Sequence, residues 1–234
     1  MSRIPLLMSA ALFAAFALPA QAGSNVSMAN IVDGAPLDKP VTTLRDLRYR
    51  DMVRQQYDFS CGSAALASVL RYGYGMDVDE PHMIRSMLVG NDPKEIVRSG
   101  FSMLDMKHYV EGLEGFRAHG FRIDAGALYR LQMPVIALLD LKGYKHFVVV
   151  KGAQAGRVFV ADPALGHRVM NEQEFVKGWN GIVLAVVGDK PLDARSYLVN
   201  GRQSIALARR GDALTEASMP VPVVELGLVR ADLF

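Results

Sequence analysis

The pattern of apolar positions changes from helical to strand-like near Pro134. Upstream of it, apolar residues recur at helical spacing and predict helices after Cys61, over residues 79–88, over about 103–119 and over 125–132. Residues 44–52 and 121–124 read as short strands. Downstream, short apolar runs separated by Gly- and Pro-containing turns predict strands at 135–140, 145–152, 157–161, 167–170 and 182–187, with a short helix over 172–178. Helices first and antiparallel strands second predict an α+β fold.

The N-terminus has the pattern of a secretory signal. Arg3 supplies the positive charge, residues 4–18 are apolar apart from Ser9, and Ala20-Gln21-Ala22 has the small-x-small form of a cleavage site. A membrane anchor is the alternative, but the apolar stretch is short for a span of about 20 residues. We therefore expect cleavage of residues 1–22, export to a bacterial periplasm and no stable membrane insertion afterwards.

The rest of the chain divides by composition into three parts. Residues 23–44 are polar and small, and they predict a linker or an N-terminal arm. Residues 45–188 contain the periodic helices and strands of a single domain, and residues 189–234 form a C-terminal extension of unknown role. The formal net charge of +2 favours neither nucleic acid nor an anionic membrane as a partner.

The candidate chemistry begins with Cys61, which is the only cysteine. An exported protein with one cysteine cannot form an internal disulfide. The thiol is therefore a buried structural residue of the core, a link to another chain or a nucleophile. Ser60 can cap the helix that follows, which places Cys61 at the helix N-terminus. A thiol attacks as its thiolate, and both a helix N-terminus and an imidazole partner favour that anion.

Two later residues fit the roles of base and orienting group. His146 opens the apolar run His146-Phe147-Val148-Val149-Val150, and Asp162 ends the next one, Val160-Ala161-Asp162. If the two strands pair as a hairpin, His146 and Asp162 lie together at its open end. A carboxylate in that position fixes the tautomer and orientation of the ring. Taken singly, each residue has an ordinary explanation, since Asp-Pro commonly starts a turn.

An oxyanion hole needs donors near the nucleophile. Gln55 lies six residues before Cys61 on the incoming loop, and its side-chain amide is the predicted donor. Gln56 is the neighbouring alternative.

Together these residues resemble a known family, the C39 cysteine peptidases, which are papain-like and cleave double-glycine leaders. The resemblance covers about residues 47–187 and rests on Gln55, Cys61-Gly62, the small apolar helix, His146-Phe147-Val148-Val149-Val150 and Val160-Ala161-Asp162-Pro163. It implies a papain-like fold, with helices packed on an antiparallel sheet, and a polypeptide substrate without a cofactor. The family often has Asp before the nucleophile, where this chain has Ser60.

The signal sequence on an unfused domain also resembles the stand-alone C39-like peptidases encoded with bacterial functional-amyloid secretion systems. The resemblance implies a protein of an amyloid or export pathway as the substrate. An inactive peptidase fold that binds a leader peptide or an export component is the alternative, although all four active-site residue types are present. The four other histidines lack ligand-like spacing, so no metal site is predicted.

Overall fold

The computed structural model describes residues 25–27, 38–40, 43–141 and 143–200. The predicted signal sequence and most of the predicted C-terminal extension, residues 201–234, lie outside these residues. The described residues divide into two units between Thr43 and Leu44. In the first, β1 (Asn25–Ser27) pairs antiparallel with β2 (Asp38–Pro40), within the segment predicted as a linker or arm.

The second unit begins with a series of helices. They are α1 (Leu44–Arg48), α2 (Cys61–Ser68), α3 (Glu80–Met87), α4 (Pro93–Ser99) and α5 (Met103–Glu111). Helix α2 continues directly into a π-helical turn, Val69–Gly73. Every residue of α2 is buried, as expected for a helix that is small and apolar on all sides.

Several predicted boundaries are wrong. Residues 44–48 are helical rather than extended, and α4 was not predicted. The helix predicted over residues 103–119 ends at Glu111, although its N-terminus has a capping box between Ser102 and Asp105. The chain turns through Gly115, whose φ is 75°, and continues as strand β3 (Phe116–Arg122). Pairing with a buried strand outweighs the local helical spacing there.

Six strands form one antiparallel sheet in the order β3-β8-β4-β5-β6-β7. The remaining strands are β4 (Val135–Leu141), β5 (Tyr144–Gln154), β6 (Arg157–Asp162), β7 (Gly166–Asn171) and β8 (Trp179–Gly188). A 3-10 helix, Ala125–Arg130, precedes β4, and α6 (Glu172–Gly178) separates β7 from β8. The predicted α+β architecture is confirmed.

The sheet separates two hydrophobic clusters. On one face, Val149 and Ala161 pack with the apolar residues of α2, α3 and α5. On the other face, Val148 and Val160 pack with Phe175 of α6 and its neighbours. The period of two along β5 and β6 thus buries both faces of the central strands. Helix α2 contacts β5 directly, which brings the start of that helix to the start of that strand.

The segment after β8 packs back on this domain. Leu198 is fully buried in the helical-face cluster, and the backbone N–H of Tyr197 donates to Asp51 at 2.7 Å. The backbone N–H of Asp193 donates to the carbonyl of Gly73 at 2.8 Å. Among the residues that the structure describes, none of the helices has the length and apolar composition of a membrane span.

Candidate active site

Cys61 is the first residue of α2 and is 7% exposed. The backbone N–H of Phe147, at the start of β5, donates to its sulfur at an N···S distance of 3.5 Å. The N-terminus of the helix and this N–H both present partial positive charge to the sulfur. Both donors therefore lie beside the atom that the proposed mechanism uses as the nucleophile.

His146 and Asp162 meet as the hairpin prediction required. Strands β5 and β6 are paired antiparallel, with Val149 opposite Ala161. The Nε2 atom of His146 lies 2.7 Å from Oδ1 of Asp162. The two residues are 3% and 1% exposed, so this polar pair is shielded from water. The catalytic role of each residue remains a prediction, but the structure brings them together.

The charges of the site shift both pKa values. Burial alone lowers the pKa of His146, but its interactions with Asp162 and Cys61 outweigh burial and raise that pKa to about 9. Burial raises the pKa of Asp162, whereas the hydrogen bond and the charge of His146 lower it, and the net direction is downward. The pair is therefore an imidazolium beside a carboxylate near neutral pH.

The other ring nitrogen of His146, Nδ1, is not used by Asp162. Within the described residues the buried Nδ1 has no hydrogen-bond partner, and Nε2 is already bonded to Asp162. Nδ1 is thus the nitrogen available for the interaction with Cys61. Tyr144 stacks on the imidazole at a centroid distance of 5.9 Å and an interplanar angle of 23°. This stacking and the bond to Asp162 together restrict rotation of the ring.

Asp162 is held by the turn that follows it. Its Oδ1 atom accepts the backbone N–H groups of Ala164 at 2.9 Å and Leu165 at 3.1 Å. Oδ2 lies 3.4 Å from a guanidinium nitrogen of Arg168. The chain then enters β7 through Gly166, whose φ is 84°. The Asp-Pro turn noted in the sequence is therefore part of the arrangement that orients the carboxylate.

Gln55 lies on the loop that leads to Cys61, and its backbone N–H donates to the carbonyl of Pro163 at 2.9 Å. Its side-chain Nε2 donates to the carbonyl oxygens of Tyr57 at 2.7 Å and Asp58 at 3.4 Å. The amide is therefore bonded within its own loop in this state. Catalytic hydrogen bonds in free enzymes often form fully only with substrate, so the role of Gln55 as oxyanion donor stays a prediction.

A cleft of about 350 Å³ opens at the thiol. Its lining includes Cys61, Asp58, Gly143, Tyr144 and Arg98 of α4. Helix α4 thus contributes to the cleft, although sequence reasoning did not predict that helix.

Two further participants were absent from the sequence prediction. The backbone N–H of Phe147 leaves no sequence signal, because every residue except proline carries one. Glu80 does leave a signal in the sequence, because it shares the buried face of α3 with Met83 and Met87, where an apolar residue is expected. Its carboxylate accepts the backbone N–H of Gln56 at 2.9 and 3.1 Å and is hydrogen-bonded to the Ser60 hydroxyl.

Known proteins resemble this chain in both sequence and fold. The model of the peptidase C39 family matches residues 50–190. A Pseudomonas aeruginosa protein named "Probable functional amyloid protease FapD" is 43% identical over 201 residues, which are 86% of this chain and 88% of that protein.

Two solved structures share the fold. The peptidase domain of the Streptococcus ABC transporter ComA has a TM-score of 0.51 and 23% identity, covering 60% of this chain and 99% of that domain. A double glycine motif protease from an AMS/PCAT transporter, solved in complex with the leader peptide, has a TM-score of 0.50 and 26% identity. It covers 60% of this chain and 95% of that one. The chain therefore belongs to the peptidase C39 family of cysteine peptidases.

Proposed function

We propose that this protein is an exported endopeptidase that hydrolyses peptide bonds through a Cys61 thioester and processes a protein of an amyloid secretion pathway. The observation that carries the chemistry is the buried pair of His146 and Asp162 beside the Cys61 thiol. A nucleophile, a base in contact with it and a group that orients the base form the arrangement required for covalent acyl transfer.

In the proposed reaction the Cys61 thiolate attacks the scissile carbonyl carbon. The resulting oxyanion accepts hydrogen bonds from the Gln55 amide and from backbone N–H groups at the start of α2. As the C–N bond breaks, the His146 imidazolium gives its proton to the leaving amine and a thioester remains. The neutral imidazole then takes a proton from water as the water oxygen bonds to the thioester carbon. The C–S bond breaks, which releases the acid and restores the thiolate and the imidazolium. Asp162 keeps the ring aligned through both steps.

The substrate class is supported by the relatives. The Pseudomonas aeruginosa relative is named a functional amyloid protease and aligns with most of this chain. The double glycine motif protease binds a leader peptide. We propose a polypeptide of the amyloid pathway as the substrate, with a small-residue site such as Gly-Gly at the cleaved bond.

Export is proposed from the sequence of the N-terminus. The charged residue, the apolar run and Ala20-Gln21-Ala22 together support cleavage after Ala22 and a periplasmic location. N-terminal sequencing of the exported protein tests this directly. The expected first residue is Gly23, and retention of Met1 would contradict the proposal.

The proposed activity is tested by mixing wild-type protein, and separately the Cys61→Ala variant, with the secreted proteins of a bacterial amyloid pathway. Mass spectrometry then identifies any new termini. The expected result is one defined cut that only the wild-type protein makes. An activity-based thiol probe supplies a second readout, since a peptidase fold that only binds leaders labels no faster than an ordinary exposed thiol. Absence of cleavage together with slow labelling would favour such a binding module.

A further inference from the structure

We propose that Glu80 is the positioning residue of the loop from Gln55 to Cys61 and that it acts on catalysis through the Gln55 amide. The inference rests on the proposed peptidase activity. Glu80 is the first residue of α3, is separate from Cys61 in sequence and is 1% exposed. It lies outside the set of nucleophile, base and orienting carboxylate described above.

The first argument concerns the partners of this carboxylate. In the described part of the chain, its hydrogen bonds all go to the loop that precedes the nucleophile. The backbone N–H of Gln56 donates to Oε1 at 2.9 Å and to Oε2 at 3.1 Å. The hydroxyl of Ser60, which is fully buried, is bonded to Oε1. Glu80 therefore holds both ends of the five-residue segment that runs from Gln56 to Ser60.

The second argument is a continuous chain of hydrogen bonds from Glu80 to Gln55. The single hydroxyl proton of Ser60 can go to Glu80 or to the carbonyl oxygen of Tyr57, which lies 2.7 Å from the hydroxyl, whereas the Ser60 backbone N–H donates to that carbonyl oxygen at 3.1 Å. The Gln55 side-chain Nε2 donates to that oxygen at 2.7 Å. The Tyr57 carbonyl is thus the point at which the Glu80 contacts and the Gln55 amide meet.

The third argument concerns the position of Ser60. It is the N-cap residue of α2, where a serine hydroxyl ordinarily accepts an N–H group of the first helical turn. Here that hydroxyl is directed to Glu80 and Tyr57 instead. The first N–H groups of α2 are thereby left to the nucleophile and its substrate.

A buried carboxyl group is costly unless it is hydrogen-bonded, and an apolar side chain would suit the buried face of α3 better for stability alone. Glu80 instead fixes the peptide group that joins Gln55 to Gln56. The Gln56 N–H, which donates to Glu80, is part of that peptide group. Displacing a positioned catalytic group by about 1 Å costs on the order of 100-fold in rate. The consequence of losing Glu80 is therefore expected in turnover.

The test is a double-mutant cycle between Glu80 and Gln55, read as kcat and KM on a peptide spanning the bond that the wild-type protein cuts. We expect Glu80→Ala to lower kcat by about 100-fold with a much smaller change in KM. In a Gln55→Ala background the same substitution should lower kcat by less than about 3-fold, because residues that act through one another are not additive. Independent, multiplicative losses would overturn the proposal.

Asp79→Ala is the matched control for a structural effect on α3. Asp79 caps the same helix by accepting the His82 N–H at 2.8 Å, but it is exposed and does not contact the loop in the described contacts. This variant should lose stability while keeping the wild-type kcat. If Asp79→Ala and Glu80→Ala lower kcat equally at equal loss of melting temperature, Glu80 has only a structural role.

Glu80→Gln and Ser60→Ala keep the proposal testable if Glu80→Ala does not fold. The glutamine keeps an oxygen for the Gln56 N–H, so its kcat should fall between those of wild type and Glu80→Ala. Ser60→Ala removes the hydroxyl that is bonded to Glu80, although its backbone N–H still donates to the Tyr57 carbonyl, and it should lower kcat, again with little effect in the Gln55→Ala background. Wild-type kcat in both variants would refute the positioning role. Cleavage by Cys61→Ala would instead refute the proposed function itself.

Discussion

The imidazole of His146 and the carboxylate of Asp162 lie 2.7 Å apart across two paired strands, and both are almost fully buried. The antiparallel pairing of β5 and β6 brings residues separated by 16 positions in sequence to one end of a hairpin. Contact with this carboxylate and with the thiol keeps the pKa of His146 high, at about 9, although burial opposes it. The relationship predicts how activity depends on pH.

We expect Asp162→Asn to move the alkaline limit of activity to lower pH. The productive form contains the imidazolium, which is lost as the pH rises through about 9 in the wild-type protein. Removing the carboxylate removes an interaction that raises this pKa, so the proton is lost at lower pH. The dependence of kcat/KM on pH in both proteins measures the shift. An unchanged alkaline limb would show that Asp162 does not set the protonation of His146.

Gln55→Ala should lower the rate of the chemical step much more than it weakens substrate binding. Negative charge develops on the carbonyl oxygen only in the transition state, so its donor contributes little to the ground-state complex. Loss of one such donor typically costs on the order of 100-fold in kcat or more.

Gln56→Ala is the matched control for Gln55→Ala. Gln56 contacts Glu80 through its backbone N–H, which alanine retains, and its side chain is exposed. Single-turnover cleavage of one peptide by both variants measures the difference. A large loss in Gln56→Ala with a small loss in Gln55→Ala would place the donor one residue later. Equal rates in wild type and both variants would mean that the oxyanion is stabilised by other groups.

Gly166→Ala should destabilise the domain and disturb the turn that holds Asp162. Gly166 has a φ of 84°, and an added Cβ would clash with the side chain of Arg48 and lie 2.6 Å from its carbonyl oxygen. Gly156 has a similar φ of 72° but open space around its Cβ position. Both alanine variants incur backbone strain of about 1 kcal/mol, and Gly166→Ala adds the steric clash. Chemical denaturation should therefore give the larger loss for Gly166→Ala, and equal losses would contradict the packing.

The sequence was sufficient to predict the α+β fold and the meeting of His146 with Asp162. Both predictions rest on local patterns, because the period of two identifies paired strands and the turn residues between them set the hairpin. The interval from 112 to 119 was misread as the end of a helix, because the formation of β3 there depends on pairing with β8, a distant strand. Helix α4 was missed because its seven residues show little apolar periodicity, and only Ile96 is buried.

Contacts that depend on three-dimensional proximity could not be predicted. Glu80 and Ser60 are 20 residues apart and belong to different helices, so their hydrogen bond follows from the packing of α2 against α3. The Phe147 N–H reaches the Cys61 sulfur across 86 residues, and a backbone group has no identity in a sequence. Sequence reasoning therefore identified the side chains with distinctive chemistry and missed the groups that position them.

The central claim is that Cys61 carries the reaction with His146 as its partner. The most direct measurement is cleavage of a peptide from the amyloid pathway by wild type, Cys61→Ser and His146→Ala, with the folded state of each verified by circular dichroism. The account predicts that both variants remain folded and lose turnover by about 1,000-fold or more, and that combining them costs little further, as for residues that act as one unit. Wild-type cleavage by a folded Cys61→Ser or His146→Ala variant would contradict it.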